Sequence, residues 1–76
     1  MKIGTVTGPL KTGRTLDSLE ALRFVQVDTL TGSVAAADLA GAGKGDRVLL
    51  ATGEAALRCC MGAPVDAAVV AVLAQE

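Results

Sequence analysis

Three glycines crowd into five residues near the middle of the chain, directly before a short apolar segment. They are Gly41, Gly43 and Gly45, and the apolar segment covers residues 47–51. Glycine is favoured where the backbone takes a positive φ or passes close to another part of the chain. We therefore predict a tight corner that leads into a β-strand. Corners of this kind hold phosphate groups in nucleotide-binding loops, and they also allow identical subunits to meet around an axis.

The length of the chain limits how it can be stabilised. The chain has 76 residues, and a domain of about this size usually needs disulfides, a metal or oligomerisation in addition to its core. Cys59 and Cys60 are adjacent, so they close no loop, and the sequence contains no histidine. Yet 51% of the residues are hydrophobic, with Phe24 as the one aromatic residue. We expect one domain over residues 1–76, with surplus apolar surface buried between subunits.

Charge and hydropathy exclude several classes of partner. The formal net charge is −1, the isoelectric point is about 5.2 and no basic cluster is present. Nucleic-acid binding depends on clustered cations and stacking aromatic rings, so it is not expected here. No apolar run reaches the roughly 18 residues of a membrane span, and the first residues are too polar for a signal peptide. We predict a cytoplasmic protein with no membrane or nucleic-acid partner and no metal or cofactor.

Short apolar segments separated by turn residues predict a mainly β fold. The predicted strands cover residues 1–6, 22–27, 33–37, 47–51 and 67–74. Turn residues at Gly8-Pro9 and at 28–32 predict the ends of the first two strands. Five short strands with one helix in a chain of this length predict an OB-like β-barrel.

One helix is predicted, and a second segment is ambiguous. The helix covers residues 53–60, with Thr52 or Gly53 as its N-cap. Over residues 10–21, leucines recur at helical spacing and the polar residues resemble a capping box. The short length of this segment and the glycine at its edge favour a loop instead. The residues alone leave both alternatives open.

The order and spacing of several motifs resemble one protein family. The motifs are GTVTG near the start, LRFVQVDTLTG, DLAGAGKGDRVLL, TGEAALR and PVDAAVVAVL. They are similar to the pentameric vertex proteins of bacterial microcompartment shells, the EutN/CcmL-like family, over nearly the whole chain. The sequence departs from the family at Ala55, where a serine is common, and at Leu57, which separates Ala56 from Arg58. It also lacks the extra C-terminal segment of longer members.

The resemblance implies a fold, an assembly and a location. The fold is a barrel in which residues 10–21 form a loop between the first two strands. Five such barrels form a closed ring, because a heterologous interface closes when its rotation divides the circle. The rings occupy the vertices of a shell that is built mainly of hexameric proteins in the bacterial cytoplasm. The implied partners are further copies of the chain and hexameric shell proteins, and the role is structural, without catalytic residues.

Gly41, Ala42 and Gly43 are the candidates for the fivefold axis. Small residues would let five loops converge around a narrow axial pore, whereas the alternative is a structural turn remote from the axis. A phosphate-binding loop is disfavoured, because Lys44 lies inside the glycine run and no Ser or Thr follows it.

Charged residues near turns are the candidates for a subunit interface. They are Arg47, Arg58 and Asp66, and we expect Asp66 to pair with one of the two arginines, within or between subunits. Asp38 and Asp46 are expected to accept turn hydrogen bonds, because the sequence has no histidine or tyrosine for acid–base work.

Two other functions compete with the structural role. A monomeric OB-like module for nucleic acid or a small ligand would carry basic and aromatic residues on its sheet, which this chain lacks. A small enzyme or redox carrier would need a nucleophile or a redox pair. Cys59 and Cys60 suggest such a pair, but neighbouring cysteines bond only through a strained ring, so both thiols are predicted to be reduced and inert.

Overall fold

The computed structural model describes residues 1–74, which contain five strands and one short α-helix. The elements are β1 (Lys2–Leu10), β2 (Phe24–Thr29), β3 (Gly32–Asp38), β4 (Arg47–Thr52), α1 (Glu54–Cys59) and β5 (Ala67–Val72). One turn of 3₁₀ helix, Asp17–Leu19, lies between β1 and β2. The predicted domain also includes residues 75 and 76, which lie outside the described part of the chain.

The strands close into a barrel. Their order around it is β1-β2-β3-β5-β4, and β4 pairs with β1 to complete the circle. Neighbouring strands are antiparallel, except that β3 and β5 are parallel. The prediction of a mainly β, five-stranded barrel of the OB-like type with one short helix is confirmed.

β1 is longer than predicted, and the expected turn at Gly8-Pro9 is wrong. The strand continues to Leu10, with a register shift between Val6 and Gly8. Its first half pairs with β4 and its second half with β2, so the irregularity turns one strand toward two partners. The β4 pairing ends at Thr5. Pro9 therefore lies where one edge of β1 is unpaired, a position that tolerates the missing N–H.

The barrel interior is filled by small and branched apolar side chains. In β2, for example, Val25 and Val27 are fully buried and alternate with less buried neighbours. The buried interior residues are Val6, Val25, Val27, Ala36, Ala42, Val48, Leu50, Ala67 and Val69. A barrel this small encloses side chains and no open channel.

A second apolar layer lies outside the barrel, beneath α1. Its buried residues are Ala37, Ala51, Ala56, Cys60, Ala63 and Ala68. Successive strand residues point to opposite faces, so Ala36 serves the interior while Ala37 serves this outer layer. Because alanine is small, the helix can lie close against β4 and β5.

α1 and the loop after β1 agree with the predictions. Gly53 is the N-cap of α1 with φ 61°, and no side chain caps the helix. Residues 11–23 form a loop with one 3₁₀ turn and no α-helix. Leu19 and Leu22 pack against the outer layer, whereas Leu16 is 62% exposed. Over residues 1–74, no helix is both long enough and apolar enough to span a membrane.

Gly4 lies where β1 passes tightly against β2, and this contact can be tested. A Cβ at this position would lie 2.5 Å from Val27 Cγ1 and 2.7 Å from the carbonyl oxygen of Asp28. We expect Gly4→Ala to lower the free energy of unfolding by about 1–3 kcal/mol, as overpacking does. Urea denaturation measures the change. Gly8→Ala is the matched control in the same strand, because a Cβ there meets no atom within 4 Å, and equal losses in both variants would contradict the tight approach.

Candidate functional site

The glycine loop, residues 39–46, joins β3 to β4 and is anchored by Asp38. One oxygen of this carboxylate, Oδ1, accepts hydrogen bonds from three successive backbone N–H groups. The donors are Ala40, Gly41 and Ala42, at 3.1, 3.0 and 3.2 Å. A single side chain therefore fixes the first half of the loop, which is the turn-forming role predicted for this aspartate.

The second half of the loop is held by hydrogen bonds to Asp46 and to β1. The N–H of Gly43 donates to Asp46 Oδ2 at 2.8 Å. The N–H of Val6 in β1 donates to the carbonyl oxygen of Asp46 at 2.9 Å, and the carbonyl of Val6 accepts from Gly45 at 2.8 Å. Gly45 has φ 89°, a conformation that favours glycine. The predicted corner therefore exists, and it connects the end of β3 to both β1 and β4.

Arg23 neutralises the buried end of Asp38. The Asp38 side chain is fully buried, and its Oδ2 lies 3.5 Å from Arg23 Nη1. Arg23 Nη2 also donates to the carbonyl oxygen of Ala42 at 3.2 Å. The sequence pattern alone did not identify Arg23 as a partner of Asp38, although the register of the β2–β3 hairpin predicts that the two residues lie opposite each other. Thr29 pairs with Gly32 in the β2–β3 hairpin, and continuing that register brings Arg23 opposite Asp38.

The three residues predicted for the fivefold axis do not share one environment. Ala42 is only 1% exposed and packs in the barrel interior, so its methyl group belongs to the core. Gly41 and Gly43 are exposed. Gly41 has φ 74°, which disfavours any side chain. The loop thus presents bare backbone to the outside, and the axial pore stays a prediction.

The predicted interface residues lie on the surface, and within the subunit no ion pair joins Asp66 to Arg47 or Arg58 among residues 1–74. Arg58 Nη2 donates to Glu54 Oε1 at 2.8 Å, one turn away on α1. This helical spacing of glutamate and arginine is favourable and occupies Arg58 locally. Asp66 is exposed and, among residues 1–74, forms an ion pair with neither Arg58 nor Arg47. A pairing of Asp66 with an arginine of a neighbouring subunit stays a prediction.

Two apolar clefts open on the barrel surface. The hairpin cleft, of about 580 Å³, lies between the start of β1, the β2–β3 turn and β4, and its apolar walls are Met1, Ile3, Leu30 and Leu49. The loop cleft, of about 440 Å³, lies beside the loop after β1, and its apolar walls include Leu10, Leu16, Leu19 and Phe24. The composition predicted surplus apolar surface without locating it, and the hairpin cleft in particular joins segments that are distant in the chain.

Cys59 and Cys60 occupy different environments. Cys59 is exposed at the end of α1, whereas Cys60 is buried in the outer layer. Burial, and secondarily the neighbouring Cys59, raises the pKa of the Cys60 thiol above its ordinary value. A raised pKa keeps the thiol protonated near neutral pH, which makes it a poor nucleophile and a poor metal ligand. Within residues 1–74, no three potential metal-ligating side chains come together.

A small closed barrel with a rigid loop and exposed apolar clefts has the features of an assembly module. The sequence matches the family described as ethanolamine utilisation protein EutN/carboxysome over residues 1–73. The chain therefore belongs to the EutN/CcmL family, whose members are structural shell proteins and not enzymes. This membership supports the predicted structural role and not a monomeric binding module. A comparison with curated proteins found no match.

Solved structures of shell proteins share this fold. CcmL from Nostoc sp. PCC 7120 is 30% identical, with a TM-score of 0.90, and the alignment covers 100% of this chain and 92% of that protein. The GrpN pentameric microcompartment shell protein from Rhodospirillum rubrum is 27% identical, with a TM-score of 0.87 and coverage of 99% and 96%. A pentameric shell protein from the RMM microcompartment is 32% identical, with a TM-score of 0.84 and coverage of 96% and 100%.

Asp38→Ala removes the acceptor that holds the glycine loop. We expect it to lower the free energy of unfolding by about 1–3 kcal/mol, since three N–H groups and Arg23 lose their charged partner. Urea denaturation measures the loss, and amide hydrogen exchange should become faster over residues 40–42. Asp17→Ala is the control, because Asp17 is exposed and its side chain forms no hydrogen bond within residues 1–74. If the two variants are equally stable, Asp38 does not anchor the loop.

The two thiols are expected to react at different rates. Iodoacetamide should alkylate Cys59 first at about pH 8, because Cys60 is buried and its raised pKa leaves less thiolate. Mass spectrometry gives the rate at each site, and Cys59→Ser should leave a chain that labels slowly. Urea-unfolded protein is the control, in which both sites should react alike. Equal rates in the folded protein would rule out a protected, inert Cys60.

Proposed function

We propose that this chain forms a closed ring of five identical copies that occupies the vertices of a bacterial microcompartment shell. The observation that carries the proposal is the family match over residues 1–73, together with pentameric relatives that this chain matches over nearly its full length. In this proposal the shell lies in the cytoplasm, and hexameric shell proteins are the other partners. The contribution of the chain is geometric, since a flat hexagonal layer closes only when fivefold units supply curvature.

The surface of the subunit suits a ring. Large apolar side chains are exposed at Ile3, Leu30 and Met61, among others, and soluble monomers rarely keep extended apolar surface. A ring needs two different contact surfaces on each copy, because its interfaces are heterologous. The hairpin cleft and the exposed side of α1 are two such surfaces on one chain.

The predicted interface charges fit the same ring. Arg47 and Asp66 are both exposed, and in the ring Asp66 of one copy pairs with Arg47 of the next. Arg58 lies beside this contact and keeps Glu54 as its partner within the subunit. Charges of this kind at the edge of an interface set orientation more than affinity.

The glycine loop is the candidate for the ring axis. Gly41 and Gly43 present exposed backbone without side chains, so five copies of the loop can converge closely. Ala42 contributes to the barrel interior of each copy and lends rigidity to the loop. The resulting opening is narrow and lined by backbone.

Native mass spectrometry tests the ring. We expect a dominant species with five copies of the 7.6 kDa chain that persists on dilution into the low micromolar range. Co-expression with a hexameric shell protein should then give closed particles by electron microscopy, whereas the hexameric protein alone should give open sheets or tubes. A clean monomer at every concentration would overturn the proposal, and so would closed particles formed without this chain.

A further inference from the structure

Met61 is held in a backbone conformation that most residues avoid. Within residues 1–74 it is the one non-glycine residue with a positive φ, at 56°. It follows Cys60, the C-cap of α1, and the N–H of Gly62 donates to the carbonyl oxygen of Leu57 at 2.9 Å and closes the helix. Glycine is the usual residue at the left-handed position of this closing motif, because it has no Cβ to clash. The chain therefore keeps a large side chain where glycine would be more favourable.

Packing inside the subunit does not compensate for this strain. The Met61 side chain is 97% exposed, and Leu57, four residues earlier, is also exposed. Strained backbone that persists in a protein often marks a functional position. We call these two exposed apolar side chains, at the C-terminal end of α1, the helix knob. Its burial against another molecule would offset the strain at Met61.

We propose that the helix knob inserts into the hairpin cleft of the adjacent copy in the ring. This inference rests on the ring of five proposed above. A heterologous interface joins one surface of a copy to a different surface of the next. The helix knob of one copy and the hairpin cleft of the next are two such different surfaces. When the contact repeats around the ring, each knob and each cleft is used once.

The hairpin cleft matches the knob in apolar character. Ile3 and Leu49 are cross-strand partners in β1 and β4, and both are partly exposed to the cleft. Leu30, at the tip of the β2–β3 turn, is fully exposed. Methionine is unbranched and polarizable, so it fits a recess of irregular outline. Joining the knob to the cleft gives the interface the apolar centre that stable assemblies have.

The charges around the two surfaces do not oppose the contact. Lys2 is the charged side chain that lines the cleft, and Arg47 is exposed on β4, the strand that forms one wall. On the knob side, Arg58 is already paired with Glu54, so it brings no unpaired cation toward them. Asp66 lies with Lys2 along a neighbouring groove of the same subunit. The loop cleft has a comparable lining, with Thr12, Arg14 and Thr15 beside its apolar residues, and it is the alternative recess in the test below.

Met61→Gly removes both the backbone strain and the side-chain contact, and two measurements tell their effects apart. The ring should become weaker, with its dissociation constant raised about tenfold or more, because the helix knob loses the Met61 side chain. The folded subunit should become more stable under conditions that dissociate the ring, because glycine accepts the left-handed conformation. Native mass spectra of a dilution series measure the first effect, and thermal denaturation of dissociated protein measures the second. An unweakened ring would overturn the inference, since a merely structural Met61 predicts no loss of assembly.

A charge pair tests whether the knob meets this particular cleft. Met61→Asp and Leu30→Lys should each weaken the ring about tenfold or more, and the double variant should recover at least about tenfold over the weaker single variant. Both side chains are almost fully exposed, so neither change should unfold the subunit, which circular dichroism checks. Leu16→Lys in the loop cleft is the matched control. It should leave the ring intact and should not rescue Met61→Asp.

The outcomes separate this inference from the ring itself. A wild-type chain that stays monomeric contradicts both the ring and the knob contact. A wild-type ring that survives Met61→Gly, Met61→Asp and Leu30→Lys leaves the proposed function standing and removes the knob contact alone. Failure of Leu30→Lys to rescue Met61→Asp, or rescue by Leu16→Lys, places the knob on another surface and overturns the inference.

Discussion

The hydrogen bonds that converge on the Asp38 carboxylate hold the barrel at the corner where its strands are joined. Asp38 ends β3, Arg23 precedes β2, and the loop anchored by Asp38 leads into β4. The same loop exchanges backbone hydrogen bonds with Val6 of β1. A buried carboxylate is tolerated here because three N–H groups donate to its Oδ1 and the Arg23 guanidinium lies 3.5 Å from its Oδ2. The corner also contributes to the interior, since Ala42 packs with the valines of the core.

Small side chains on both faces of the strands determine what surrounds that barrel. In β3, β4 and β5, alanines at Ala37, Ala51 and Ala68 face outward and are buried by the segment that contains α1. Larger residues at these positions would hold the helix away from the sheet. The chain therefore builds two thin apolar layers from a short sequence. Because both layers are thin, the core buries a modest area, which is typical of small domains.

The narrow barrel leaves several large apolar side chains outside, where they are available for contacts with other molecules. Ile3, Leu30 and Met61 are exposed on the subunit, and the EutN/CcmL family to which the chain belongs consists of structural shell proteins. For such a protein the functional property is the direction and complementarity of its contacts. A rigid barrel serves this purpose, because each exposed group keeps a fixed orientation relative to the others.

The sequence by itself determined the local elements and the family. Short apolar segments and turn residues predict the strands, the β2–β3 hairpin and the short helix, because these depend on neighbours within a few residues. The sequence did not predict that β1 runs through Gly8-Pro9, because that strand is extended by pairing with two strands that are distant in the chain. The Arg23–Asp38 pair and the inward side chain of Ala42 likewise depend on closure of the barrel. The hairpin cleft exists only in the tertiary structure, because folding alone brings the chain start, the β2–β3 turn and β4 together.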